Sequence, residues 1–155
     1  MSRFKTLIQD RFFIAKISFA LYGISLCIPA LHMTHVNTRA AYYLFGSGLL
    51  LDGIWGLVFY GLYGWLANPF YLITMIFFLL GSYRATITFG CFTILLMLTT
   101  FQLYFQQDTF LLDESGGNAV VFSNLTIGSY IWFLSLLLPF CFALYYLKKK
   151  PGSIG

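Results

Sequence analysis

Few residues in this chain could do chemistry, and Asp52 stands first among them. It is the lone acid within the long hydrophobic runs, set in GSGLLLDGIWGLVFYG. An ionisable group inside a membrane run is a candidate for proton or cation handling. A carboxylate where a span meets the interface is instead a boundary residue, and the sequence leaves both roles open. His32 and His35 lie three apart in HMTHVNTR, a spacing that would put two imidazoles on one helix face. No third ligand is near, so they read as interfacial polar residues and no metal site is expected. Haem held between helices would need histidines on two spans, so no cofactor is expected either.

Cys27, Cys91 and Cys141 each stand alone in a hydrophobic run, and no CxxC pair exists. That excludes a thiol-disulfide couple or thiolate metal centre of the usual spacing and leaves packing residues. Leu26-Cys27 is a poor lipoprotein site because leucine precedes the cysteine. Asp113, Glu114 and Asn118 lack EF-hand spacing and read as an exposed turn. Asn124-Leu125-Thr126 matches a glycosylation sequon but lies too close to the next hydrophobic run to be modified. No G-x-S-x-G, HExxH or phosphate loop occurs. Nothing pairs a nucleophile with a base, so the chain is not expected to be an enzyme.

Composition sets the class that must position these residues. Of 155 residues, 59% are hydrophobic and 9% charged, where soluble domains carry about 25% charged residues. The runs are continuously apolar, without the alternation of an outer-membrane barrel. The expected fold is an all-α integral membrane protein. It would be a four-helix transmembrane bundle with its central segment broken or kinked at Asn68-Pro69, giving as many as five helical pieces. The net charge of +4 comes from bases at span ends, so no nucleic-acid partner is implied.

One polytopic domain is expected over residues 1–150, with 151–155 as a tail. Its spans fall at about 14–33, 53–83, 85–105 and 127–147. No small-x-small site follows the first run, so it reads as an uncleaved span. The dozen residues before it, with Phe4, Leu7, Ile8, Phe12 and Phe13, would lie along the inner interface. Residues 106–126 form an acidic extracytoplasmic loop with a turn at Asp113 to Asn118 between two β-prone pieces, a small surface hairpin. Pro139 should kink the last span.

Charge decides the threading, since cytoplasmic loops are rich in Lys and Arg. Four crossings with both termini inside place eight of the nine bases in the cytoplasm and only Arg39 outside. Five crossings would split them about evenly. Residues 42–84 must then cross an odd number of times. They could do so as a shallow lead-in over 42–52 and one long helix bent at Asn68-Pro69, where proline removes a donor. The rival course is a full span to Trp65 followed by a segment that dips back from the inside.

At 100° per residue, Gly53, Gly56, Gly61 and Gly64 would share one helix face smooth enough for close approach of another helix. Tyr42, Tyr43 and Trp55 would form an outer aromatic belt, and Tyr83, Tyr145 and Tyr146 an inner one. Thr86, Thr88, Thr93, Thr99 and Thr100 suggest helix contacts.

Together these features suggest a non-catalytic accessory or assembly subunit in the bacterial inner membrane, partnered by lipid and by another membrane protein. The alternatives are a small transporter using Asp52 and the broken helix, or an immunity-type protein that blocks a membrane-inserting toxin.

Overall fold

The computed structural model describes residues 10–105, 109–111 and 119–149. The expected turn at Asp113 to Asn118, the first nine residues and the tail from Lys150 lie outside the described residues. Helix α1 (Arg11–Cys27) starts where the Asp10 carboxylate accepts a hydrogen bond from the Phe12 amide at 2.9 Å. This is the N-capping role of a short acidic side chain.

The first helix ends at Cys27, well before the expected boundary near residue 33. Ile28 turns extended and Pro29 opens a strand, β1 (Pro29–His35). The residue before a proline disfavours the helical region, so the break has a local cause. Residues 42–45, expected to begin a shallow lead-in, form most of β2 (Ala41–Phe45), which pairs antiparallel with β1.

Helix α2 (Gly46–Tyr60) follows and stops at Gly61, which caps it in the left-handed region with φ 65°. The chain then runs through a 3-10 turn (Tyr63–Leu66) into α3 (Ala67–Leu80). The break in the central segment is therefore at Gly61-Leu62, and neither a single helix over 53–83 nor a bend at Asn68-Pro69 is found. Pro69 sits in the first turn of α3, where an amide has no intrahelical acceptor and proline is tolerated. Glycine takes the left-handed conformation without the Cβ clash of other residues. Gly61→Ala has open space but the wrong backbone, so a loss of about 1 kcal/mol is expected in a detergent unfolding titration.

Helix α4 (Tyr83–Leu98) runs on through a second 3-10 stretch (Thr99–Tyr104). Strands β3 (Thr109–Leu111) and β4 (Ala119–Leu125) pair in register as an antiparallel hairpin, as the sequence predicts. Helix α5 (Ile127–Lys149) completes the described chain.

The fold is mostly helical but not all-α. Because β4 also pairs with β1, the four strands form one antiparallel sheet in the order β2-β1-β4-β3. Among the described residues, three helical stretches are long and apolar enough to cross a membrane: Tyr63–Leu80, Tyr83–Tyr104 and Ile127–Lys149. Helix α1, with 17 residues, is shorter but packs closely along α5.

The ends of the helices sort clearly. At one end Arg11 reaches the α3–α4 turn at Gly81, and Tyr83 stacks on Tyr146 at 5.1 Å. At the other end stand the sheet and α2.

Between α1, α3 and α5 a polar contact explains how Pro139 fits inside α5. Proline cannot donate to the carbonyl four residues back, which is Ser135 O. Ser18 Oγ donates to that oxygen at 2.8 Å instead. Ser18 has only one proton, so at the 2.7 Å contact with Tyr71 the phenol must be the donor. Ser18→Ala is expected to cost about 1–2 kcal/mol. In a Pro139→Ala background, where the α5 backbone can supply the donor itself, a double-mutant cycle should show that cost cut by about half.

Candidate functional site: a chamber beneath the sheet

The sheet has two unlike faces. Side chains alternate along strands, so Leu31 and Met33 of β1 point one way, with His32 and Thr34 opposite. Cross-strand register carries the pattern on, with Leu44 beside Leu31 and Tyr42 beside Met33. Leu125 and Phe122 join them from β4, and Phe110 pairs with Val120. The other face is polar: His32 Nδ1 bonds Asn124 Oδ1 at 2.8 Å and Thr34 bonds Ser123 at 2.8 Å. A sheet with one apolar face needs something beneath it.

Beneath it the helix ends do not fill the space. A chamber of about 340 Å³ lies between the apolar sheet face, α2 and the ends of the helices. Leu31, Met33, Leu44 and Phe110 face it from the sheet, Leu49, Gly53 and Tyr60 from α2, and Trp65, Leu103 and Trp132 from the bundle.

The roof is held by hydrogen bonds to backbone carbonyls. Thr126 N donates to Ala30 O at 2.9 Å and Ser129 Oγ donates to the same oxygen at 2.8 Å, while Thr126 Oγ1 bonds Pro29 O. Gly46 N donates to Ile28 O at 3.2 Å. These contacts fix the first turn of α5 to β1 and the start of α2 to Ile28 just before it.

Most polar groups at the chamber are already engaged. Asn68 Oδ1 accepts from Tyr22 Oη and from Trp132 Nε1, each at 3.0 Å, and its Nδ2 donates to Trp65 O at 3.0 Å. Trp65 Nε1 donates to Leu50 O at 2.9 Å, tying the 3-10 turn to α2. Ser25 Oγ donates to Tyr22 O at 2.6 Å. Two groups differ. Asp52 lines the chamber, is exposed, and makes no hydrogen bond or ion pair with another described residue. Thr100 also lines it, and its buried Oγ1 has no partner among the described residues.

The glycines do not form the continuous face expected of one helix, because the chain turns at Gly61. Gly53 receives the Trp65 ring, Gly56 touches Leu62, and Gly64 receives Thr100. Each therefore faces this chain's own side chains. Asn68 is a hydrogen-bond hub rather than a break. His32 and His35 lie on opposite faces of β1, His32 stacked on Tyr43 and His35 edge-on to Tyr42. Among the described residues no group of three His, Cys, Asp or Glu side chains could hold a metal. The cysteines are exposed and free.

The chamber's walls were partly legible. Alternation in ALHMTH and at the end of β4 is the strand signal, hidden by the apolar residues before it. No local pattern marks Thr100, Trp65 or Trp132 as neighbours. Comparison of the chain with family models, curated proteins and solved structures gave no match in any of the three.

Proposed function

We propose that the protein is a non-catalytic membrane protein with four crossings and both termini on the cytoplasmic side of a bacterial inner membrane. Its role would be that of an accessory or assembly subunit in a larger membrane complex. The observation that carries this reading is the outward face of α2. No residue of that helix is buried within the protein. Leu51, Trp55 and Phe59, spaced four apart, form an apolar ridge flanked by Ile54 and Val58, and Leu51 is 74% exposed. Large aromatic and aliphatic side chains so arranged suit a groove between transmembrane helices of a partner subunit.

Charge supports the threading. Arg11, Arg84, Lys148 and Lys149 cluster towards the end away from the sheet, and Arg39 lies in the β1–β2 turn. With Lys and Arg held inside, the sheet's polar face would meet the external water.

Gentle detergent extraction and native mass measurement test the role. A larger co-migrating partner at fixed stoichiometry is expected, and the Leu51→Ser/Phe59→Ser double variant should lose it while keeping its own melting temperature. A monomer or homo-oligomer alone would overturn the subunit reading. Asp52 at the chamber wall favours a second reading, a small transporter. In that case Asp52→Asn should abolish uptake while leaving the fold intact.

A further inference from the structure

We infer that the chamber under the sheet is a binding site for a lipophilic amine, with Asp52 as the anchor for its ammonium group. The inference concerns the inside of the chamber and is independent of what covers the outer ridge of α2.

Size comes first. At about 340 Å³ the chamber is more than twice the ~150 Å³ cavity that takes up benzene, so it accommodates roughly a dozen non-hydrogen atoms. Ligand sites of this size are mostly apolar with a few placed polar groups. The walls meet that description, with Leu31, Met33, Leu44, Leu49, Leu103 and Phe110 presenting hydrocarbon.

Charge selects the head group. Ser25, Trp65, Asn68, Ser129 and Trp132 spend hydrogen bonds on protein partners. Asp52 spends none on another described residue, and among the described residues that line the chamber it is the one carboxylate, with no Lys, Arg or His beside it. A carboxylate accepts and does not donate, so its complement is a cation with N–H donors. Gly53, the next residue, lets the Trp65 ring lie against α2 beside the carboxylate's own turn. Tyr60 and Trp132 add further aromatic faces to the walls. Aromatic faces attract ammonium groups, so wall and anchor favour the same charge. An anionic or neutral chain would leave Asp52 repelled or unmatched. The ligand class is thus a primary amine carrying an alkyl or aryl body of about ten carbons.

Decylamine is the probe, with decanol as its uncharged counterpart. At neutral pH an alkylamine is protonated, as a lysine side chain is. The protein is placed in phosphatidylcholine nanodiscs and the bound fraction of each probe is read by native mass spectrometry. One decylamine per chain is expected, binding about tenfold more tightly than decanol. Asp52→Asn should bring decylamine down to the decanol level and leave decanol unchanged. Gly48→Leu fills the chamber from α2, where an added Cβ has only an ordinary contact with Leu44. It should abolish both probes while the melting temperature holds. The assignment fails if Asp52→Asn binds decylamine as the parent does, or if Gly48→Leu retains both probes.

Discussion

Asn68→Leu is expected to destabilise the protein by about 3 kcal/mol, the sum of three hydrogen bonds at about 1 kcal/mol each. The side chain holds Tyr22 of α1, Trp132 of α5 and the Trp65 carbonyl of the 3-10 turn within 3.0 Å. Leucine keeps the branched shape but leaves two donors and one acceptor without their partner. Such orphaned groups cost more than the bonds gain in a satisfied network. Reversible unfolding in mixed micelles checks the value. Trp132→Phe adds a second test. It should cost about 1 kcal/mol alone and much less in the Asn68→Leu background, because the indole has already lost its acceptor. A loss under about 0.5 kcal/mol for Asn68→Leu would mean that Asn68 does not hold the three elements together.

Gly128→Ala is the second large effect, and it acts through backbone. A Cβ at Gly128 would run into the Pro29 carbonyl and come within 3.2 Å of the Ala30 Cα. Neither neighbour is the free end of a side chain, so α5 must move away from β1. Overpacking of this kind costs about 1–3 kcal/mol. The movement also stretches the bonds from Thr126 and Ser129 to Pro29 and Ala30. A loss at the upper end, about 3 kcal/mol, is therefore expected. Gly23→Ala is the control. Nothing lies within 4 Å of its added methyl, and alanine in a helix interior should gain about 0.5–1 kcal/mol over glycine. If the two substitutions had equal effects, the close approach of α5 to β1 would not be what holds the roof down.

The chamber depends on both joints. Asn68 ties the helix ends below it and Gly128 holds the sheet above it. Both variants should therefore lose probe binding along with stability, whereas Asp52→Asn should lose only the preference for decylamine over decanol. That contrast separates the ligand contact from the framework.

The sequence by itself determined the last two apolar helical segments and their approximate limits. Continuous hydrophobic runs are a local property, and those over 85–105 and 127–147 match Tyr83–Tyr104 and Ile127–Lys149 within two residues. The β3–β4 hairpin was legible for the same reason, since its β-prone pieces flank a turn signal a few residues long.

Only tertiary structure decided the rest. Strand β1 reads in the sequence as the end of a span and a polar connection, because apolar residues precede it and one of its two partners, β4, lies about ninety residues away. Backbone groups of Pro29–His35 are satisfied by β2 on one side and β4 on the other, and no local pattern records the second pairing. Asn68-Pro69 looked like the break because proline is the strongest local interrupter. Pro69 falls in a first turn where its missing donor costs little, and Gly61 takes the turn instead. Gly53 and Gly64 share one face of an ideal helix, open to a helix of this bundle or of a partner, but that turn sends them against Trp65 and Thr100. Asp52 kept its place in a hydrophobic run, but a run cannot state what faces it. The sheet, folded back over the helix ends by contacts distant in sequence, made that surrounding a chamber.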